Sequence, residues 1–198
     1  MKSIEVKGTK RAETGKKSTR ELRKANAVPC VLYGVEKDEK GLPKATSFSV
    51  LSNDLRNLVY SPHIYVVDLI IDGKPCKAVL KEIQFHPVKD TIQHVDFYQV
   101  TEDKPIVMEV PVALNGLAAG VRAGGKLQSI VRKLKVKALY TAIPEKLNID
   151  VTSLELGKSV KVADLSFEGL EIVNNPQVVV CTVRLTRAAR GAAAEAAE

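Results

Sequence analysis

Apolar and polar residues alternate with a period of two along much of this chain, in runs too short for helices and bounded by turn residues. Ser3–Gly8 sets Ile4 and Val6 among polar neighbours, and Thr46–Val50 repeats the pattern. Ile64–Ile71 is β-rich, Asp72-Gly73 is a hairpin signal, and Pro75–Phe85 supplies the returning strand. Pro87 to Asp90 makes another turn. Ile92–Val100 then places Ile92, His94, Asp96 and Tyr98 on one face and Gln93, Val95, Phe97 and Gln99 on the other. Two helices interrupt this series. Ser18-Thr19-Arg20-Glu21 has the form of a capping box opening a helix to about Asn26, with Leu22 and Ala25 toward the core. Ser52–Tyr60 carries Leu55, Leu58 and Val59 on one side. The expectation is a mainly β protein with short helices.

A polar break at Thr101–Pro105 divides the chain into residues 1–100, a small β-sheet or barrel with two helices, and residues 101–186, a second β-domain. In the second part Ile106–Leu114, Leu147–Val151, Ser159–Val162 and Gln177–Leu185 read as strands. Lys126–Leu139 fits both a helical and a strand period, and its β-branched surroundings favour strand. Val35–Lys44 reads as an exposed loop, and residues 187–198 as an Ala/Glu tail without a core partner.

Charge is unevenly placed. Of a net +7, residues 7–24 hold eight cations (Lys7, Lys10, Arg11, Lys16, Lys17, Arg20, Arg23, Lys24) against Glu13 and Glu21 alone. Arg20, Arg23 and Lys24 share one face of the first helix. Such a field suits a polyanion better than a small acidic metabolite, though a solvated arm has the same composition. No apolar run approaches a membrane span, and the charged amino terminus has no signal-peptide core. Cys30, Cys76 and Cys181 are odd in number and widely spaced, which fits a reducing cytoplasm and no disulfide framework.

Chemistry-bearing motifs are few. Gly120 to Lys126 has the glycines and lysine of a phosphate-binding loop, but Leu127 stands where a magnesium-binding hydroxyl belongs, so a Gly-rich β-loop is the better reading. His86, His94 and Asp96 fall short of a metal centre, which needs three or four convergent ligands. No nucleophile elbow or spaced acid–base pair points to catalysis. We therefore expect no enzyme, metal or cofactor. An imidazole and a carboxylate on one sheet face instead suit base edges and 2′-hydroxyls. With aromatics at only 5%, structured RNA is a better match than stacked single strands.

Arg11, Gly15-Lys16, Leu22-Arg23, Val28-Pro29 and Tyr33-Gly34 follow a spacing that resembles the start of the bacterial ribosomal protein L-twenty-five family. Gln84-x-His86-Pro87 leading to His94-Val95-Asp96-Phe97 resembles its second hallmark. Gly120–Leu127, Ala142-Ile143-Pro144 and Ile149–Leu154 are similar to the carboxy-terminal β-domain of the long, general stress protein form. The resemblance implies an amino-terminal β-barrel that docks on the loop E helix of 5S rRNA in the large ribosomal subunit, in the cytoplasm. It also implies that Arg11, Lys16, Arg20 and Arg23 contact phosphates or the groove, and that Tyr33, Gln84, His94 and Asp96 line the RNA face. Lys17 joins them on charge alone. Neighbouring ribosomal proteins are candidate partners of the carboxy-terminal domain, where Lys133, Lys135 and Lys137 form a stripe. Competing readings are another structured-RNA-binding factor, a protein-interaction module acting through the carboxy-terminal domain, and a nucleotide hydrolase using Gly120–Lys126.

Overall fold

The computed structural model describes residues 2–34 and 44–186. Most of the Val35–Lys44 loop and all of the 187–198 tail lie outside them. Contacts divide the chain into two compact units, Met1–Ile106 with Leu139–Thr141, and Val107–Ala138 with Ala142–Glu198.

In the first unit six strands close into a barrel. They are β1 (Lys2–Lys10), β2 (Ala27–Tyr33), β3 (Thr46–Leu51), β4 (Tyr65–Ile71), β5 (Lys74–Phe85) and β6 (Ile92–Gln99), in the spatial order β1-β3-β2-β6-β5-β4. Two parallel pairings, β1 with β4 and β2 with β6, complete the cylinder around the antiparallel hairpins. Inward residues of every strand meet at Phe48 and Phe97, fully buried rings with centroids 5.8 Å apart. Helix α2 (Ser52–Val59) adds Leu55 and Leu58 to this core; burying Leu55 alone contributes about 2 kcal/mol.

Strand β6 departs from simple alternation. The period of two groups Ile92 with His94 and Asp96, yet Ile92 is buried in the core. A register irregularity between Gln84 and Phe85 pairs Phe85 with Ile92, whereas Gln84 pairs with His94. The extra residue turns Ile92 inward and leaves His94 and Asp96 on the outer face.

The second unit holds two sheets. One has the order β10 (Leu147–Asp150), β7 (Ile106–Asn115), β9 (Lys133–Ala138), β12 (Glu171–Ile172); the other has the order β11 (Ser159–Lys161), β13 (Val179–Arg184), β8 (Lys126–Ser129). The ambiguous Lys126–Leu139 stretch is neither one helix nor one strand. Ile130 and Val131 both donate to the Val180 carbonyl, which ends β8, and the chain re-forms as β9 in the other sheet. Among the described residues no helix is long and apolar enough to cross a membrane.

Candidate nucleic-acid interface

Helix α1 (Lys16–Lys24) buries no residue. Leu22 is half-buried and Ala25 is exposed, so the expected two-residue apolar face reduces to one. A nine-residue helix this polar is marginal in water by itself, and polar ties to the barrel hold it. The Arg11 guanidinium donates to Ser18 Oγ (3.4 Å) and Thr19 Oγ1 (3.2 Å), and Arg23 donates through Nη2 and Nε to the Gln93 carbonyl (2.9 and 3.3 Å).

The expected capping box does not form. The helix begins two residues before Ser18, after Gly15, whose φ of 145° lets the chain turn directly into it. Thr19 N–H then closes the first turn on the Gly15 carbonyl at 3.0 Å, and Ser18 Oγ donates to the Glu13 carbonyl instead. Lys16 and Lys17 consequently occupy a first turn with no acidic residue. Cations there oppose the helix dipole, at a cost of about 0.3–1 kcal/mol each. An incoming anion reverses that cost.

Beside α1 runs a groove of about 760 Å³. Lys16, Arg20, Arg23 and Lys24 line it from the helix, and His86 and Lys89 from the turn between β5 and β6. Among the described residues no carboxylate lines it. The side chains of Lys16, Arg20, Lys24 and Lys89 have no ion-pair partner among the described residues. Arg11 and Lys17 lie outside the groove, Arg11 half-buried behind α1 and Lys17 exposed.

Strand β6 carries the surface from this groove onto the outer face of the barrel. Gln93 lines the groove, and His94, Asp96 and Tyr98 follow along the sheet. Gln84 of β5 pairs with His94, and Tyr33 of β2 pairs with Tyr98. Tyr33 and Tyr98 meet edge to face at 5.8 Å. His94 Nδ1 lies 2.8 Å from Asp96 Oδ1, with both side chains about a quarter exposed. Burial, then the carboxylates of Asp96 and Glu82, raise the Tyr33 phenol above its ordinary pKa, keeping it a neutral donor. Glu82 is directly opposite Asp96 and is a member of this face that the motif reading omitted, although it alternates with Gln84.

The two surfaces differ in chemistry. Free cations in a groove take phosphates; clustered carboxylate, imidazole, amide and phenol groups take the donors and acceptors of bases and 2′-hydroxyls. Among the described residues no group of three or more potential metal ligands forms around His86. Its Nδ1 accepts the backbone N–H groups of Val88 and Lys89, both at 3.2 Å.

The glycines of the suspected phosphate loop serve packing. The segment contains a four-residue helix, α3 (Ala119–Arg122), instead of an open β-loop. A Cβ on Gly120 would meet Leu156 N at 2.6 Å, and one on Gly125 would meet the Gly120 carbonyl and Val183 at the same distance. Both glycines are thus accounted for by close approach of backbone and side chains within this unit.

Comparison with known proteins agrees across both units. Residues 6–97 match the Ribosomal L25p family and residues 105–187 match the C-terminal domain of ribosomal protein TL5. The large ribosomal subunit protein bL25 of Phocaeicola vulgatus is 71% identical over 196 residues, covering 99% of each chain. Its counterparts in Bacteroides fragilis (63% over 201 residues, 99% of each chain) and Porphyromonas gingivalis (56% over 194 residues, 98% of each) share the full length. A two-unit β architecture, family matches in the same order and full-length identity together place the chain in the bL25 family of large-subunit ribosomal proteins in its long form, a family of structural proteins and not of enzymes.

Proposed function

We propose that this protein binds 5S rRNA as a component of the large ribosomal subunit, through the α1 groove and the outer face of β2, β6 and β5. The observation that carries the reading is the adjacency, along β6, of a cationic groove and an acceptor-rich sheet face. Lys16, Arg20 and Arg23 hold phosphates, which positions the RNA and makes affinity salt-dependent. Gln84, His94, Asp96 and Tyr33 meet bases and 2′-hydroxyls in an irregular, widened groove such as loop E, which supplies selectivity. Arg11 acts through Ser18 and Thr19, fixing the start of α1, and Lys17 adds charge outside the groove. In the carboxy-terminal unit, the exposed lysines 133, 135 and 137 on β9 favour contact with neighbouring ribosomal components.

Titration of the full chain with 5S rRNA and with a duplex RNA of matched length, each at several salt concentrations, tests this. The expected result is tight, salt-sensitive binding that prefers 5S rRNA. Equal, weak binding to both RNAs overturns it.

A further inference from the structure

The turn between β5 and β6 is built more firmly than a connection needs. His86 N–H donates to the Thr91 carbonyl at 2.8 Å, and Asp90 N–H to the His86 carbonyl at 3.0 Å. The His86 ring accepts from the N–H groups of Val88 and Lys89. Asp90 takes a left-handed backbone at φ 51°, and Tyr60 Oη donates to its carbonyl at 3.3 Å. The Tyr60 ring also packs on Phe85, the last residue of β5, with centroids 6.5 Å apart. Pro87, Val88, Lys89 and Asp90 are nonetheless all exposed, so little of this bonding serves a core. What it does is hold the backbone of Lys89 in one conformation at the edge of the groove.

We propose that this turn is a second RNA-contacting element, in which Lys89 takes a phosphate of the RNA backbone and His86 is the residue that positions it. The inference rests on the RNA-binding reading and adds a second element to it. Lys89 lines the same groove as Lys16, Arg20, Arg23 and Lys24, and among the described residues no carboxylate lines it. Like charges lining one cleft raise its potential and repel in the free protein. A phosphodiester strand laid in the cleft relieves that repulsion, and a lysine suits it as a point-charge donor. His86 contributes without touching RNA. Its Nδ1 orders the turn as the shared acceptor of two backbone N–H groups.

The test uses the full chain, titrated with 5S rRNA and matched duplex at several salt concentrations, with Lys126→Gln on β8 as a charge control. Lys89→Gln is expected to weaken binding severalfold near physiological salt and to reduce the salt slope by about one, with melting temperature unchanged. His86→Ala is expected to weaken binding while removing no charge. His86→Asn is expected to recover most of that loss, because an Asn oxygen can accept the same N–H groups in an Asx-turn. If Lys89→Gln binds with wild-type affinity and slope while Arg20→Ala is impaired, the phosphate contact is wrong. If His86→Ala matches wild type, or His86→Asn fails to rescue a folded His86→Ala, the positioning role is wrong. Failure of the 5S reading is a separate result. It shows as no preference for 5S rRNA by the wild type, and the Lys89 slope is still decided on either RNA.

Discussion

His94 Nδ1 and Asp96 Oδ1, two residues apart on β6, lie 2.8 Å from each other on the outer face of the barrel. The carboxylate accepts the ring proton on Nδ1 and so fixes the direction in which Nε2 points. Asp96→Ala removes both the orienting group and a direct acceptor. Affinity for 5S rRNA is expected to fall about tenfold or more, in line with roughly 1–3 kcal/mol for a lost polar contact to a base. Affinity for matched duplex and the salt slope should stay as they are. Equal losses on the two RNAs in titrations would remove Asp96 from the reading surface.

Arg20 and Arg23 lie on the same helical face but differ in their bonding. Arg20 has no ion-pair partner among the described residues, whereas Arg23 donates to the Gln93 carbonyl and ties α1 to β6. Both alanine variants should bind 5S rRNA more weakly, with the salt slope reduced by about one. Only Arg23→Ala should also lose stability, by about 1 kcal/mol for a partly solvated hydrogen bond. Thermal unfolding of the two variants separates the roles; equal melting temperatures would show that the Gln93 contact does not anchor the helix.

Gly125 has space for hydrogen alone. A methyl there would lie 2.6 Å from the Gly120 carbonyl, the Leu156 side chain and Val183. Gly125→Ala should destabilise the carboxy-terminal unit by about 1–3 kcal/mol, as overpacking does. Binding to 5S rRNA near room temperature should be unchanged. Denaturant unfolding of that variant with wild-type stability would show that the packing tolerates the methyl.

Cys30 sits inside the barrel, where burial first and then the Asp96 carboxylate push its thiol from 9.0 up to about 12, opposed by Arg11. The unfolded chain releases this proton near pH 9 and the folded chain only near pH 12. The raised pKa therefore contributes stability that is complete below pH 9 and declines as pH climbs toward 12, at most about 1.4 kcal/mol per pH unit. In urea unfolding at pH 8.5, 9.5 and 10.5, the stability gap between wild type and Cys30→Ala should shrink as pH rises, since other titrating groups are common to both. A constant gap would contradict the burial of the thiol.

How much of this was readable in advance depends on the residue. The strands around Phe48 and Phe97, the Asp72-Gly73 hairpin and α2 follow from local pattern, because a period of two and a turn dipeptide are short-range properties. The face shared by His94 and Asp96 was readable for the same reason. Ile92 was not, since its direction depends on a register irregularity with Phe85 on the neighbouring strand. The start of α1 is not legible locally, because Ser18 resembles a cap in sequence while Gly15 governs the backbone. Lys126–Leu139 divides between two sheets through a shared acceptor at Val180, fifty residues along the chain.

Period, turn chemistry and charge position are written within a few residues of each other. They already specified a mainly β chain whose basic segment lies at its amino-terminal end. The interface needed distant residues to meet. Arg23 reaches the carbonyl of Gln93 only because parallel pairing of β2 with β6 brings the two together. Lys89 lines one groove with α1 only because the barrel closes, and Glu82 faces Asp96 only because β5 pairs with β6 in that register. Closure of the barrel converts cations scattered over some seventy residues of chain into one groove, and local sequence carries no record of that distance.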